Sequence, residues 1–329
     1  MLAAYYERVG AARDVLSVAE IDAPAAGPGE VRVKLTCSGV NPSDVKSRGG
    51  VRSRELPFPR IVPHSDGAGV IDQVGAGVSG HHIGQRVWVW NAAWGRAFGT
   101  AAQYVVLPEA QAVPLPDNIG FAEGACLGIP GLTAYHAVHS NGGVAGKSVL
   151  VAGGAGAVGH YAVQFAKLAG ARLIVATVST AAKATLARAA GADMTLNYKS
   201  EDVGQRCVQL TDGNGIDRII ELDLATNLAT DLAAVRQDGE ITVYGSTAPE
   251  IGVPFFASAL KNVRYQFFIV YKLSLADRAT AIDEVSALLD GNRIQHNIAA
   301  RLPLTHIAEA HELVESGRAT GNVVVDIPV

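Results

Sequence analysis

The sequence predicts an α/β protein in which a doubly wound parallel sheet is joined to a β-rich domain. Three observations support this fold class. Residues 1–120 contain short β-like runs separated by Gly and Pro, strands and helices alternate from about Glu123 onward, and a glycine-rich turn occupies residues 153–159. The chain has 329 residues, of which 49% are hydrophobic and 18% charged. Such a chain can bury two cores of ordinary domain size.

The first block of the chain reads as a β domain. Val31–Thr36 alternates apolar and polar residues, and Val87–Trp90 and Tyr104–Leu107 are short β-rich runs. Gly and Pro residues between these runs mark turns, as is typical of a domain built from short strands.

The second block alternates strands and helices. The predicted strands are 148–152, 172–177, 193–197, 217–221 and 240–244, and the predicted helices lie near 157–169, 180–190, 200–211 and 227–235. This βαβ pattern is typical of a doubly wound parallel sheet of the Rossmann type. The remaining predicted elements are a strand Tyr265–Tyr271, a helix Leu275–Asp290, a short strand near Ile298, a helix Ile307–Ser316 and a last strand Asn322–Ile327.

The last strand is expected to return to the first block, since no later segment can pair with it. We therefore predict a catalytic domain formed by residues 1–122 and 265–329, and a nucleotide-binding domain formed by residues 123–264. A cleft between the two domains is the expected place for a nicotinamide and a substrate.

The glycine-rich turn carries the most specific motif of the chain. Gly154, Gly156 and Gly159 fit G-x-G-x-x-G between a predicted strand and a predicted helix that begins with Ala157 and Val158. In this context the first glycine permits a tight turn, the second lets the backbone approach a pyrophosphate, and the third lets the helix pack close to the strand. The N-terminus of the helix then faces the phosphates.

The residues after the second strand of this block indicate NADP(H) rather than NAD(H). An NAD site usually places an acidic residue at this strand end, but no Asp or Glu occurs between Gly124 and Ala192. Ser179 and Lys183 instead offer a hydroxyl and an ammonium group to a 2′-phosphate. The alternative is that Lys183 is an ordinary solvated lysine of a helix.

Bulk properties exclude several classes of function. The formal net charge of −4 gives no basic surface for nucleic acid, so no nucleic-acid partner is expected. Residues 148–166 lack charged side chains, but the glycines within them favour the nucleotide turn over a membrane span. The start of the chain shows no signal-peptide pattern, so a cytoplasmic location is expected. Cys37, Cys126 and Cys207 are interpreted as small buried hydrophobic residues, with a catalytic cysteine as the alternative.

Several motifs in family order resemble the zinc-free NADPH:quinone oxidoreductase (ζ-crystallin-like) branch of the medium-chain dehydrogenase/reductase superfamily. The matching segments are Gly39-Val-Asn-Pro-Ser-Asp44, Pro63-His-Ser-Asp-Gly-Ala-Gly-Val-Ile71, Val74-Gly-Ala-Gly-Val78, Gly84-Gln-Arg-Val87, Gly128-Ile-Pro-Gly-Leu-Thr-Ala-Tyr135, the glycine turn, Ala189-Ala-Gly-Ala-Asp193, Asn197-Tyr198, Ala308-Glu-Ala-His311 and Gly317-x3-Gly-Asn322. They cover essentially the whole chain. The resemblance implies a GroES-like catalytic domain, NADP(H) as cofactor and a homodimer that joins two sheets edge to edge along Asn262–Tyr271.

The same resemblance implies that no metal is bound. Zinc-dependent members carry a Cys where Asn41 stands and a His-Glu pair where Ser65 and Asp66 stand, and their four-cysteine lobe corresponds to residues 91–100, which contain no cysteine. Zinc requires three or four N, S or O ligands. His64 lies one residue out of step, so it is interpreted as a hydrogen-bonded loop histidine, with a role as metal ligand as the alternative.

The resemblance also assigns roles to individual residues. Asn41 corresponds to a polar residue near the nicotinamide, and Thr133 to a cofactor contact in the cleft. Lys46 stands on the substrate side where relatives often have tyrosine, and it could hydrogen-bond a substrate oxygen, pair with Asp44 or reach solvent. The further residues that the resemblance places at the cofactor are Tyr198, which joins Ser179 and Lys183 at the 2′-phosphate, and Gly245, Ser246, Phe267, Phe268, Ile269 and Asn322.

Three functions are compatible with these features. The first is an NADPH-dependent reductase that transfers a hydride to a quinone without a metal, with Asn41 and Lys46 as donors to the substrate oxygen. The second is a medium-chain ene reductase that acts on enones or enals. The third is an NADPH-binding protein with little turnover.

Overall fold

The chain folds into two units in a computed structural model that describes residues 1–51 and 53–328. The first unit comprises Met1–Gly131 and Ile282–Val329, and the second comprises Leu132–Ala281. Each unit contains its own sheet and its own hydrophobic core.

The N-terminal part of the first unit is built from strands and short helices. In chain order they are β1 (Leu2–Tyr5), α1 (Ala12–Val15), β2 (Ser17–Glu20), β3 (Glu30–Val40), α2 (Pro42–Arg48), β4 (Asp66–Val74), β5 (Arg86–Val89), β6 (Tyr104–Pro108), β7 (Ala112–Pro114) and α3 (Phe121–Gly124). The predicted strands Val31–Thr36 and Tyr104–Leu107 fall within β3 and β6, and Val87–Trp90 matches β5 except for Trp90, which follows the strand. A helical turn with π-type hydrogen bonding, Leu127–Gly131, ends this part of the unit.

The second unit is the doubly wound parallel sheet that the sequence predicts. Its elements are α4 (Leu132–His139), β8 (Ser148–Val151), α5 (Ala157–Leu168), β9 (Leu173–Val178), α6 (Ala181–Ala189), β10 (Met194–Asn197), α7 (Val203–Leu210), β11 (Ile216–Glu221), α8 (Leu224–Ala234), β12 (Val235–Val243), α9 (Phe255–Leu260) and β13 (Arg264–Phe267). The strands are parallel in the order β10-β9-β8-β11-β12-β13. The strand order therefore reverses beside β8, which is where open α/β sheets bind ligands.

The last segment of the chain returns to the first unit, as predicted. Helix α10 (Leu275–Asp290) is followed by β14 (Ile298–Pro303), α11 (Ile307–Glu315) and β15 (Asn322–Asp326). Strand β15 pairs antiparallel with β3 and parallel with β14, so the sheet order is β14-β15-β3-β4-β5-β7, with β6 also paired to β3.

The segment after α9 differs from the prediction. The expected strand Tyr265–Tyr271 ends at Phe267, and Val270–Lys272 form a 3-10 turn. Because β13 pairs in parallel with β12, this strand extends the sheet of the second unit. The structure accordingly divides the chain after Gly131 and Ala281, whereas the expected divisions followed residues 122 and 264.

A buried ion pair ties α4 to the sheet of the second unit. Arg218 on β11 lies opposite Glu240 on β12, with 3.2 Å between Nη2 and Oε1. The same guanidinium donates to the carbonyl oxygens of Ala137 and Ser140, at the C-terminal end of α4. These acceptors give both Nη atoms of the buried cation polar partners.

None of the helices in the described part of the chain is long and apolar enough to cross a membrane.

Candidate functional site

The glycine turn after β8 is shaped by close backbone contacts. Gly153, which precedes the motif, has the left-handed φ of +66°, and its N–H donates to Thr177 Oγ1 at 2.9 Å. The motif predicts the tight turn at Gly154, but this glycine does not have a left-handed φ. A Cβ at Gly154 would lie only 2.5 Å from the Cβ of Ala176 on β9, so this position is limited by packing.

Gly156 and Gly159 stand at the start of α5, where the helix approaches the glycine turn. A Cβ at Gly159 would lie 2.2 Å from the carbonyl oxygen of Gly153, which requires the close approach of helix and turn that the motif predicts. Gly156 precedes the first residue of α5, and the first amide to bond within the helix is that of His160, to Gly156 at 3.0 Å. The N–H groups of Ala157 and Val158 lie in the first turn, where a helix binds an anion. The turn therefore fits a dinucleotide pyrophosphate.

Three predicted cofactor residues meet at the end of β9. Ser179 directly follows this strand, and the Tyr198 N–H donates to the carbonyl of Val178 at 3.1 Å. Lys183 lies in the first turn of α6, where its N–H donates to the side chain of Thr180 at 3.2 Å. The Tyr198 ring is 55% exposed, so it is available to a ligand. The backbone thus places these three residues around the end of one strand.

The segment after β11 was not singled out in the sequence analysis, although it forms the opposite side of the turn. A Cβ at Gly153 would lie 2.6 Å from the Leu222 side chain, and a Cβ at Gly245 would lie 2.1 Å from the Leu222 carbonyl oxygen. Asp223 accepts from the N–H and hydroxyl of Thr247, at 2.8 and 2.9 Å. The signal that could have identified these residues is their place immediately after a buried parallel strand.

The remaining predicted cofactor residues of the second unit follow β12 and β13. Ser246 donates its hydroxyl to the carbonyl of Ala248 at 2.6 Å. Phe267 is the last residue of β13 and is 60% exposed, whereas the Phe268 ring contacts the His136 imidazole, with 4.7 Å between centroids. Ile269 lies outside the strand and is exposed.

Two further predicted residues are buried. Thr133 is buried near the start of α4. Asn322, at the start of β15, donates its side-chain N–H to the carbonyl of Asn297 at 3.0 Å.

In the first unit, Asn41 forms the junction between β3 and α2. Its backbone N–H donates to Asp44 Oδ2 at 2.8 Å, which is half of a capping box. Its side-chain Nδ2 donates to Asp66 Oδ2, also at 2.8 Å. Lys46 lies on helix α2, which begins with Pro42 at the first helical position.

A chain of buried polar groups runs from α11 to β4. His311 Nε2 lies 2.9 Å from His64 Nε2, and His64 Nδ1 lies 2.8 Å from Ser38 Oγ. Ser38 Oγ lies 2.7 Å from Thr100 Oγ1, which donates to the carbonyl oxygen of Asp66 at 2.5 Å. Both ring nitrogens of His64 are therefore used in hydrogen bonds. Among residues 1–51 and 53–328, no three His, Cys, Asp or Glu side chains are grouped as a metal site requires.

The direction of every hydrogen bond in this chain follows from its last acceptor. A carbonyl oxygen only accepts, so Thr100 donates its single proton to Asp66. Ser38 must then donate to Thr100, and His64 Nδ1–H donates to Ser38. Burial lowers the pKa of His64 to about 3 and that of His311 well below its usual value, so both imidazoles are neutral. A neutral His64 that is protonated on Nδ1 has an unprotonated Nε2, which accepts from His311 Nε2–H.

The three cysteines lie in buried positions that disfavour the reactive thiolate. All three are free and buried. Burial raises the pKa of Cys37 and of Cys207 to about 12, and it raises the pKa of Cys126 as well. Since the thiolate is the reactive form, these positions do not favour the catalytic-cysteine alternative.

Comparisons with known proteins agree with this architecture. Residues 27–117 match the alcohol dehydrogenase GroES-like domain, and residues 157–287 match the zinc-binding dehydrogenase family. The chain is 31% identical to human quinone oxidoreductase over 310 residues, 93% of this chain and 92% of the relative. It is 31% identical to quinone oxidoreductase of Pseudomonas aeruginosa over 323 residues, 95% of each. A 2-haloacrylate reductase from Burkholderia sp. is 28% identical over 316 residues, 93% of each.

Solved structures show the same fold over the full chain. The crystal structure of an NAD-dependent alcohol dehydrogenase has a TM-score of 0.91 at 30% identity and covers 100% of both chains. A mycobacterial protein complexed with NADPH has a TM-score of 0.89 at 27% identity, and the match covers 99% of this chain and 100% of that one.

Because of the buried pair His64 and His311, we expect the free energy of unfolding to decrease in acid. Their pKa values in the folded protein lie below the value of about 6.5 in an unfolded chain, so the unfolded state binds more protons as the pH falls from about 6.5 toward 3. Stability is therefore complete above pH 6.5 and is lost through that range. His311→Gln keeps an N–H donor for His64 but removes one titrating group. We measure the free energy of unfolding with denaturant between pH 5 and 6. The loss of unfolding free energy per pH unit should be smaller in His311→Gln than in the wild type, by about 1 kcal/mol per pH unit.

The matched control for this measurement is His82→Gln, at an exposed loop position. A slope in His311→Gln equal to that of the wild type would contradict the assignment of a neutral buried pair.

Proposed function

Because the chain belongs to the quinone oxidoreductase branch of the medium-chain dehydrogenase/reductase family, we propose that it is an NADPH-dependent reductase that transfers a hydride to a quinone without a metal. The observation that carries this proposal is the hydrogen bond between Asn41 and Asp66. These residues stand where zinc-dependent members hold metal ligands, and here they bond to each other.

The cofactor is NADP(H), held by the second unit. The N–H groups of the first turn of α5 receive the pyrophosphate, while Ser179, Lys183 and Tyr198 hold the 2′-phosphate. NADPH supplies the hydride when it is bound. A carboxylate at the end of β9 would repel the 2′-phosphate, and the residues that follow β9 carry none.

The remaining cofactor contacts come from the loop after β12 and from three other segments. They are assigned to Gly245, Ser246, Phe267, Phe268, Ile269, Thr133 and Asn322.

The protein's contribution to the reaction is to stabilise the charge that develops on the substrate oxygen. A quinone carbonyl becomes anionic as hydride arrives, and donors aimed at that oxygen lower the barrier. We assign this role to the Asn41 amide, with the Lys46 ammonium as a second donor from helix α2. An amide nitrogen carries two protons, and the bond to Asp66 uses one of them.

Metal independence follows from the chemistry of the side chains at the ligand positions. A carboxamide nitrogen has no lone pair available for Zn²⁺, which prefers thiolate, imidazole or carboxylate ligands. The neighbouring His64 has both ring nitrogens in hydrogen bonds. We also place the enzyme in the cytoplasm, since its cysteines are free.

An ene reductase is the second candidate function. It is favoured by the similarity to a 2-haloacrylate reductase, which covers 93% of each chain. The same donors would then stabilise an enolate oxygen rather than a quinol oxygen.

A panel of hydride acceptors tests these proposals. We expect the purified protein to oxidise NADPH faster with a simple quinone than with enones, enals or 2-haloacrylate, followed by NADPH absorbance. Exhaustive chelation should leave the rate unchanged, and elemental analysis should find well under one zinc per chain. Faster turnover of the alkenes would support the ene reductase instead, and no turnover with any acceptor would contradict both candidates.

Cofactor preference can be measured by substitution at the end of β9. Lys183→Ala should weaken NADPH binding by about 1–3 kcal/mol, because it removes a charge-assisted bond to the 2′-phosphate. NADH binding should barely change, since NADH lacks this phosphate. Lys167→Ala is the control, because that lysine pairs with Asp193 near the other end of α5. Equal binding of NADH and NADPH by the wild type would refute the assignment.

We propose a homodimer formed through the edge of the second unit's sheet. Strand β13 is the last strand of this sheet and pairs with β12 on one side. Next to it in sequence, α9 exposes Phe255, Phe256 and Leu260 to at least 72%. An edge strand and an apolar helix face of this kind favour pairing with a second copy about a two-fold axis.

Light scattering tests this interface. The wild type at micromolar concentration should have about twice the chain mass. Phe256→Glu with Leu260→Glu should yield monomer, because a two-fold axis places the added charges of both copies in one interface. Ile83→Glu changes an exposed apolar residue of the first unit and should remain dimeric. A monomeric wild type would refute the proposed homodimer.

A further inference from the structure

Asp66 is the most completely enclosed carboxyl group near Asn41. Its side chain is fully buried at the first residue of β4, where it lies opposite Gly39 of β3. A Cβ at Gly39 would lie 3.1 Å from Asp66 Cβ, and a Cβ at Gly128 would lie 2.4 Å from Asp66 Oδ1. The carboxyl group therefore fits only because glycines, which have no Cβ, stand at positions 39 and 128.

The backbone of Asp66 is also fixed by hydrogen bonds. Its carbonyl oxygen ends the hydrogen-bond chain that begins at His311 and passes through Thr100. The ladder between β3 and β4 fixes the strand around it. An acceptor atom with so little freedom can set the orientation of whatever donates to it.

From these contacts we infer that Asp66 is a positioning residue, which holds the Asn41 carboxamide so that its second N–H is presented to the substrate oxygen. Asn41 is anchored on its backbone side by Asp44 and on its side-chain side by Asp66. Without Asp66 the carboxamide keeps only its capping-box contacts with Asp44, so its second N–H is no longer held toward the substrate oxygen. This inference rests on the proposed function of Asn41.

Asp66 acts as a hydrogen-bond acceptor in this role rather than as a charge. Burial and the nearby Asp44 carboxyl raise its pKa well above the usual value, while the Asn41 amide and the backbone of Ile129 oppose this shift. Asp66→Asn is isosteric and retains an oxygen that can accept from Asn41. It should therefore preserve the position that Asp66→Ala destroys.

The kinetic test is a double-mutant cycle with Asn41→Ala. Asp66→Ala should lower kcat about tenfold or more while the KM for NADPH stays within about twofold, because a donor to the developing charge is misplaced. In the Asn41→Ala background the same change should have no further effect, since Asp66 acts through Asn41. Asp66→Asn should restore most of kcat. Full additivity of Asp66→Ala with Asn41→Ala would overturn the inference.

Two further variants keep the test decisive. Gly128→Ala leaves Asp66 in the sequence but drives a methyl group against Oδ1, so it should reproduce the loss of kcat even if Asp66→Ala does not fold. Cys37→Ala alters another buried residue of β3 whose side chain contacts Asp326, and its effects should simply add to those of Asn41→Ala.

A readout without turnover separates this inference from the proposed function. In cofactor-free protein labelled with ¹⁵N-asparagine, the Asn41 side-chain resonance is identified by its loss in Asn41→Ala. Its protons should exchange with solvent at least about tenfold faster in Asp66→Ala and Gly128→Ala than in wild type or Asp66→Asn, because hydrogen bonding protects amide protons. Equal exchange in all four proteins would refute the anchoring by Asp66. Altered exchange in a protein that reduces no quinone would support the anchoring and refute only the proposed reaction.

Discussion

The pairing of the last strand with β3 is the contact on which the first unit depends. Val323 to Asp326 of β15 lie antiparallel to residues 37–40 at the end of β3. Helix α11 precedes β15 by a short loop, so this pairing also packs α11 against the sheet. His311 is buried as a consequence and meets His64. Residues separated by 247 positions in the sequence thereby form one hydrogen bond.

Burial then determines the chemistry of the polar groups beneath this strand. A buried donor or acceptor without a partner costs about 1–3 kcal/mol, so His311 Nε2, both ring nitrogens of His64, two hydroxyls and the Asp66 carbonyl pair in a single sequence of donors and acceptors. The carbonyl at its end permits one direction only. The Asp66 carbonyl therefore ends this sequence as an acceptor, while its side chain accepts from the Asn41 amide at the start of α2.

The second unit gathers its ligand-binding groups by the geometry of parallel strands. The carboxyl ends of β8, β9, β11 and β12 lie along one edge of the sheet, so the loops that follow them are neighbours. Leu222 packs against both Gly153 and Gly245, and Asp223 holds Thr247. The same edge brings Lys183 and Tyr198 to the end of β9, although fifteen positions separate them in the sequence.

The sequence by itself determined the features that arise from local patterns. The βαβ alternation, the glycine turn and the carboxylate-free end of β9 are encoded within short windows, since strand period, helix period and glycine spacing are local properties. Only the tertiary structure decided the contacts that depend on distant segments. In the structure the left-handed glycine is Gly153, and the strand β13 ends at Phe267. His64 lies within hydrogen-bond distance of His311, and Asn41 donates to Asp66. Local sequence cannot specify these contacts, because they form only when strand pairing brings separate parts of the chain together and burial then requires their polar groups to be satisfied.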